Sequence, residues 1–217
     1  MASCLVGSEM CIRDRITEED FGDNLKCVAR AGAGTNNIPI DEATKQGIVV
    51  FNTPGANANA VKELVICGML LSSRGIIEGI EFAKKLDLKD PEGLNKAMEA
   101  QKKSFAGNEL DGKTLGIIGL GSIGSMLAQA AQTLGMKLIG YDPYISIESA
   151  WRLPREVGKA ETMAELLQHS DYVSLHVPLA EETKNLINKS NLNKFKQGAR
   201  LINLSRGGIV NTADVIK

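Results

Sequence analysis

Cysteine is scarce in this chain. Cys4, Cys11, Cys27 and Cys67 show no CxxC or other metal-ligand spacing, and four thiols are too few for a disulfide scaffold. Reduced thiols in a cytoplasmic setting, and no metal site, are the expectation. A surplus of basic charge is also missing: 25 Lys and Arg face 26 Asp and Glu, for a net charge of -1. Nothing in that balance marks a nucleic-acid surface. No apolar run is long enough to span a bilayer, so no membrane helix is expected. Internal repeats and low-complexity stretches are absent as well. What remains is an ordinary globular composition, 43% hydrophobic over 217 residues, enough for one large or two small domains.

Both ends of the chain stand apart. Residues 1–15 show neither helical nor strand periodicity, and charge breaks them up too much for a signal peptide. Their core, residues 5–14, resembles the translation of a transposon-type sequencing adaptor, so the segment is expected to lie outside the fold. At the other end, Asn211 to Asp214 read as an N-cap and first helical turn with only Val215, Ile216 and Lys217 behind them. A fragment from the middle of a longer protein is the expectation.

The strongest positive feature is Gly119-Leu120-Gly121-Ser122-Ile123-Gly124. It follows an apolar run at 114–118 and opens a helical run at Ser122. A second apolar run, 136–141, ends on Asp142. Strand, glycine turn, helix, strand and acid is the order of a dinucleotide-binding βαβ unit. Gly119 permits the sharp turn, Gly121 lets a pyrophosphate approach the backbone, and Gly124 lets the helix pack closely on the strand. The helix start offers unpaired N–H groups and a positive dipole end to the phosphates. Asp142 can accept hydrogen bonds from the adenosine ribose, a charge-assisted interaction of roughly 1.5–3 kcal/mol. It would repel a 2′-phosphate, which favours NAD over NADP. The plainer reading is a glycine turn that binds nothing, with Asp142 an N-cap or turn residue before Pro143.

Around this unit, strands are expected at 25–29, 48–51, 172–176 and 201–204. Helices are expected at 41–46, closed by Gly47, and from 59 to 86, where apolar residues lie nearly all round. Such a helix is buried between layers or at a subunit interface. Asp90 and Pro91 read as N-cap and N1 of another helix. Thr162 to Glu165 is a capping box, and Asn188 caps a helix over 189–196 that Gly198 ends. Strands alternating with helices give an α/β fold with a doubly wound parallel sheet, whose last strand at 201–204 is an open edge.

Strand ends are where such sheets bind ligands, and four carry suggestive residues: 30–34, 52–57, 119–124 and 205–208. Arg206, between a strand end and two glycines, can grip a carboxylate bidentately and polarise the adjacent carbonyl, or be a surface arginine. Residues 31–34 form an anion nest or a plain tight turn. Asn57 is a substrate contact or a helix N-cap. Lys62 and Glu63 read as solvated or packing residues. His176 reads as a packed, hydrogen-bonded residue rather than a base, and His169 as a residue favouring a helix C-terminus.

The stretches 29–37, 50–59, 116–124, 140–144, 176–178 and 204–211 resemble, in order and spacing, those of the D-2-hydroxyacid dehydrogenases. The likeness covers residues 16–217 and is strongest toward the phosphoglycerate-oxidising branch. It implies a Rossmann domain over 104–217, C-terminally truncated, a remnant of a flavodoxin-like substrate domain over 16–58, and interdomain and dimerisation helices over 59–103. Ala33, Gly119, Gly121, Ser122, Ile123, Gly124, Asp142, Val177, Leu204 and Ser205 would line the NAD site. Arg30, Ala31, Gly32, Gly34 and Asn57 would face a small 2-hydroxy acid, and Arg206 would be the catalytic arginine on its carboxylate and carbonyl. The implied reaction is hydride transfer from C2 of D-3-phosphoglycerate to NAD, in serine biosynthesis, by a homodimer or larger assembly. Relatives acting on glyoxylate, hydroxypyruvate or D-lactate, and non-catalytic NAD-sensing modules, share these features. The family's acid/base His and its orienting Glu follow the arginine motif and have no match here. The 217-residue chain is therefore expected to be inactive.

Overall fold

Two sheets, one of three strands and one of five, organise the chain, and every strand pairing in them is parallel. The computed structural model describes residues 3–7, 16–35, 37–86 and 91–216. Contacts divide the chain into two units, Met1–Ala60 and Val61–Lys217.

In the first unit β1 (Ser3–Gly7), β2 (Leu25–Arg30), α1 (Ile40–Lys45) and β3 (Val49–Asn52) give the strand order β1-β2-β3. β1 departs from the expectation that residues 1–15 lie outside the fold, although they show no alternation. Strands of parallel sheets are often short unbroken apolar runs rather than alternating ones, and Cys4-Leu5-Val6 is such a run. Phe21, Leu25, Val28, Ile38, Ala43 and Ile48 form the core of this unit.

Then follow α2 (Ala58–Ser73), α3 (Ile76–Ala83), α4 (Pro91–Gln101), β4 (Thr114–Ile118), α5 (Ser122–Thr133), β5 (Lys137–Tyr141), α6 (Ile147–Trp151), β6 (Gly158–Lys159), α7 (Met163–His169), β7 (Tyr172–Leu175), α8 (Lys189–Leu192), β8 (Arg200–Asn203) and α9 (Thr212–Val215). The strand order is β6-β5-β4-β7-β8. Alternation along the strands sorts the core into two layers. Leu115, Ile117, Leu138, Tyr172 and Ile202 pack with Val65 and Met69 of α2 and Leu127, Ala128 and Ala131 of α5. Ile118, Val173 and Leu175 pack with Leu166 and Leu167 of α7, Ile187 and Ile209. Each fully buried Leu or Ile contributes about 1.5–3 kcal/mol.

The helix expected from 59 to 86 is broken at Arg74 and Gly75. Asn108 N–H takes the Ser73 carbonyl at 2.8 Å, and Gly75 N–H donates to Phe105 O at 3.1 Å. A Cβ on Gly75 would stand 2.8 Å from Phe105 Cα. The returning chain therefore occupies the place of the next helical turn. Within the chain, one face of α2 is buried. Val65, Met69 and Ser73, four residues apart, form one buried stripe of α2, while Leu64, Leu70, Ile77 and Ile80 are exposed. Ser73 Oγ lies 2.6 Å from Tyr172 OH in the core, and Arg200 Nε donates to Ser72 O at 2.8 Å. These contacts fasten the end of α2 to β7 and β8.

The helix expected over 189–196 stops at Leu192. Asn191 folds its side chain back, accepting from Asn188 N–H and donating to Leu186 O. The next bonds, from Lys194 to Asn191 and from Phe195 to Leu192, are tighter three-residue turns. Two elements between Asp142 and Thr162 had no expectation from sequence. Ser146 caps α6 by accepting from Ser149 N–H, and β6 is only two residues long. Trp151 on α6 is almost wholly exposed. Thr162 caps α7, accepting from Glu165 N–H, but the expected capping box is not closed: the Glu165 carboxylate accepts from Glu161 N–H one residue earlier. The expected N-cap Asp90 lies outside the described residues.

Candidate cofactor site

From β4 the chain runs outward through β5 and β6, then crosses back to β7 and β8. The crevice beyond the carboxyl ends of β4 and β7 is thus the topological switch point, where open parallel sheets bind ligands. The fingerprint sits there. Gly119 turns at φ +92°, a left-handed conformation that favours glycine. A Cβ on it would stand 2.7 Å from the His176 carbonyl group and 3.0 Å from Val177 Cγ1. Gly124, in the first turn of α5, has the Gly119 carbonyl oxygen 2.1 Å from the place of a Cβ. Only a glycine lets the helix start this close to the turn. Gly121, in contrast, has no atom within 4 Å of its missing Cβ. No side chain caps α5, so its first N–H groups want an outside acceptor. An open cradle over uncapped N–H groups fits a pyrophosphate.

Asp142 closes β5. Its Oδ2 accepts from Leu120 N–H at 2.8 Å and its Oδ1 from Tyr144 N–H at 3.0 Å. It is therefore a turn residue, as the plainer reading had it, and also a brace on the glycine turn. A carboxylate has about four lone-pair sites, so each oxygen keeps room for a ribose hydroxyl. Beyond β8, Ser205 Oγ donates to Leu175 O at 2.6 Å, Ser205 N–H to Asn203 Oδ1 at 3.1 Å, and Asn203 Nδ2 to Arg206 O at 2.9 Å. This web fixes the backbone from Leu204 to Arg206 against β7. The Arg206 side chain is exposed, and its Nη1 donates to the Ser205 carbonyl at 3.3 Å. No carboxylate pairs with it among the described residues.

Neither histidine is poised as a base. Burial pushes the His176 imidazole down to about 4, its Nε2 lies 2.9 Å from Ser174 Oγ, and its Nδ1 is buried with no partner. His169 Nδ1 meets Glu165 O at 2.8 Å at the end of α7.

The remaining site residues of the sequence reading belong to the first unit. Gly32 N–H donates to Thr53 Oγ1 at 2.7 Å, Thr53 N–H to Gly32 O at 3.1 Å, and Asn52 Nδ2 to Ala33 O at 2.8 Å. The loop at 30–34 is thereby latched, but the Gly32 N–H is no longer free for an anion nest. Arg30 Nη1 is buried with no hydrogen-bond partner. Asn57 directly precedes α2, at its N-cap position. The sequence reading named the segments 52–57 and 119–124 but gave Asn52, Thr53 and Leu120 no role of their own, and it gave none to Ser174. Thr53 and Asn52 had a signal in the turn-forming stretch Asn52-Thr-Pro-Gly. Leu120 acts through its backbone and had none.

Among the described residues no group of three His, Cys, Asp or Glu side chains could hold a metal, and no helix is long and apolar enough to cross a membrane. Residues 69–217 match the family described as D-isomer specific 2-hydroxyacid dehydrogenase, NAD binding domain. A D-3-phosphoglycerate dehydrogenase of Bacillus subtilis (strain 168) is 38% identical over 206 residues, 94% of this chain and 36% of the relative. A hydroxypyruvate reductase of Thermotoga maritima is 41% identical over 192 residues, 88% of this chain and 57% of the relative. The chain thus spans between about a third and three fifths of these relatives' length. The crystal structure of NAD+-bound 3-phosphoglycerate dehydrogenase from Entamoeba histolytica superposes with a TM-score of 0.72 at 31% identity, covering 98% of this chain and 59% of that one. The open cradle at Gly121, the braced Asp142 and these likenesses agree: the chain belongs to the D-isomer-specific 2-hydroxyacid dehydrogenases, oxidoreductases that use NAD, and carries their NAD-binding domain.

Proposed function

We propose that this chain is part of an enzyme that oxidises D-3-phosphoglycerate to 3-phosphohydroxypyruvate in serine biosynthesis. The observation that carries the reading is Arg206, an exposed guanidinium with no acidic partner among the described residues, fixed by its backbone at the carboxyl end of β8. It binds the substrate carboxylate and draws electron density from C2's oxygen as the carbonyl forms. NAD, when bound, supplies the hydride acceptor. Gly119 to Gly124 and Asp142 hold its pyrophosphate and ribose, with Val177, Leu204 and Ser205 beside them. Ala33 belongs to the same reading of the cofactor site.

The choice of a phosphorylated acid is supported by Arg30. A buried guanidinium nitrogen without an acceptor calls for an anion; a phosphorylated acid carries a second anionic group besides its carboxylate, and glyoxylate does not. Ala31, Gly32, Gly34 and Asn57 accompany it as substrate residues. The second reading, reduction of hydroxypyruvate or glyoxylate, is supported by the hydroxypyruvate reductase at 41% identity. The exposed Leu64, Leu70, Ile77 and Ile80 support a homodimer or larger assembly.

The 217 residues alone should turn over slowly. Of the two histidines, one is buried against Ser174 and one ends α7, so among the described residues no histidine is placed to take the hydroxyl proton. A positioned acid/base is worth about 10²–10⁴ in rate. The test is steady-state kinetics of the gene product extended at both ends, with D-3-phosphoglycerate, hydroxypyruvate and glyoxylate. The largest kcat/KM on phosphoglycerate is expected; a larger value on either of the others sinks the assignment. Turnover of the 217-residue chain at an ordinary dehydrogenase rate would refute the claim of a missing base.

A further inference from the structure

We propose that His176 and Ser174 form an internal strut that positions the glycine turn and Val177 for the dinucleotide. The inference rests on the cofactor site described above, and His176 and Ser174 lie outside the glycine fingerprint. Ser174 is fully buried, and its hydroxyl meets His176 Nε2 at 2.9 Å. The ring is neutral, because burial opposes its charge.

Counting protons settles the tautomer. If the serine O–H donates to Nε2, the ring proton sits on Nδ1, and one donor is left unpaired. If Nε2–H donates instead, the serine proton and the Nδ1 lone pair are both stranded. The first arrangement leaves fewer buried groups unsatisfied. His176 is therefore an Nδ1–H imidazole accepting from Ser174.

The backbone of His176 is what the strut holds. Its N–H donates to Ile118 O, the last residue of β4, at 2.7 Å. Its carbonyl fills the space beside Gly119, and Val177 Cγ1 flanks the same glycine. The left-handed turn at Gly119 thus rests on the end of β7, and the ring pins that end back to Ser174 inside the sheet. An orphaned donor kept beside a ligand-binding turn is the kind of buried exception that needs an explanation. Positioning of the turn supplies one.

The experiment measures NAD binding by titration calorimetry to the 217-residue chain and to H176F, H176Q and S174A. Losing one neutral hydrogen bond corresponds to roughly a three- to tenfold weaker Kd, and that loss is expected for H176F and S174A, each still unfolding cooperatively. H176Q restores an amide at the place of Nε2 and should bind within about twofold of wild type. Should H176F fail to fold, S174A against wild type decides. Nitrogen-15 spectra of the apo protein should show the Nδ1–H tautomer. Wild-type affinity in H176F and S174A, an H176Q as weak as H176F, or an Nε2–H ring would each overturn the proposal. Failure of wild type itself to bind NAD would overturn the cofactor reading along with it, and is distinguishable because the strut's own failure leaves wild-type binding intact.

Discussion

Two alanine substitutions three residues apart should do opposite things. At Gly124 the new methyl would sit 2.1 Å from the Gly119 carbonyl oxygen and 3.3 Å from Ile117 Cγ2. The first neighbour is backbone, locked in the turn, so the start of α5 must move by about an ångström. Alanine's better helix propensity returns up to about 1 kcal/mol, while overpacking of this kind costs about 1–3 kcal/mol or more. The clash wins, and G124A should be less stable by about 1–2 kcal/mol, a fall in Tm of roughly 2–8 °C for a chain of this size. At Gly121 the methyl enters open space, and φ of -70° suits alanine. Stability should change by less than about 1 kcal/mol, mostly through the weaker N-cap. The methyl does stand where the pyrophosphate would approach the backbone, so NAD affinity should fall by about tenfold or more. Scanning calorimetry with NAD titrations on both variants makes the test. A G124A as stable as wild type, or a G121A with wild-type affinity, would refute the division of labour between the two glycines.

His176 makes a pH prediction. Its folded value of about 4 lies below the unfolded value of about 6.5, so the unfolded chain takes up the proton first as pH falls. Its contribution is full above pH 6.5 and is lost between about 6.5 and 4, in total about 3 kcal/mol. Denaturant midpoints across that range should fall more steeply for wild type than for H176Q; parallel curves would refute the assignment. Asp142 makes another. Replacing it by alanine strips the acceptor from the Leu120 and Tyr144 N–H groups and removes the charge facing a 2′-phosphate. NAD should bind more weakly and the ratio of NAD to NADP affinity should drop, which competitive titration reads directly; an unchanged ratio counts against the ribose role.

What was legible in the sequence was local. The unit from Thr114 to Asp142 is read correctly because strand, turn, helix and acid each carry their own signal within thirty residues. Thr162 announces α7 for the same reason. The break at Gly75 was not legible, because its cause is Phe105, far along the chain. The short α8 depends on which way the Asn191 amide folds, a choice sequence does not encode in its pattern. α6 and β6 are too short to show periodicity. At the site, the strand-end rule located the Arg206 and His176 segments, yet the second role of Asp142 needed the Leu120 backbone beside it. The single long helix was misjudged only in its continuity; its exposed apolar faces leave the expectation of a subunit interface open.

Trp151 gives the molecule an unusual optical character. It is the sole tryptophan and is 84% exposed on α6. Its emission should already be that of a solvated indole, so melting of the core should change it little, while the near-ultraviolet dichroism of buried Tyr172 should disappear. What the fluorescence would register is covering: anything that settles over α6, another protein or a second copy, shifts the emission to the blue. The chain therefore carries a built-in reporter for its surface and, in Tyr172, a separate one for its interior.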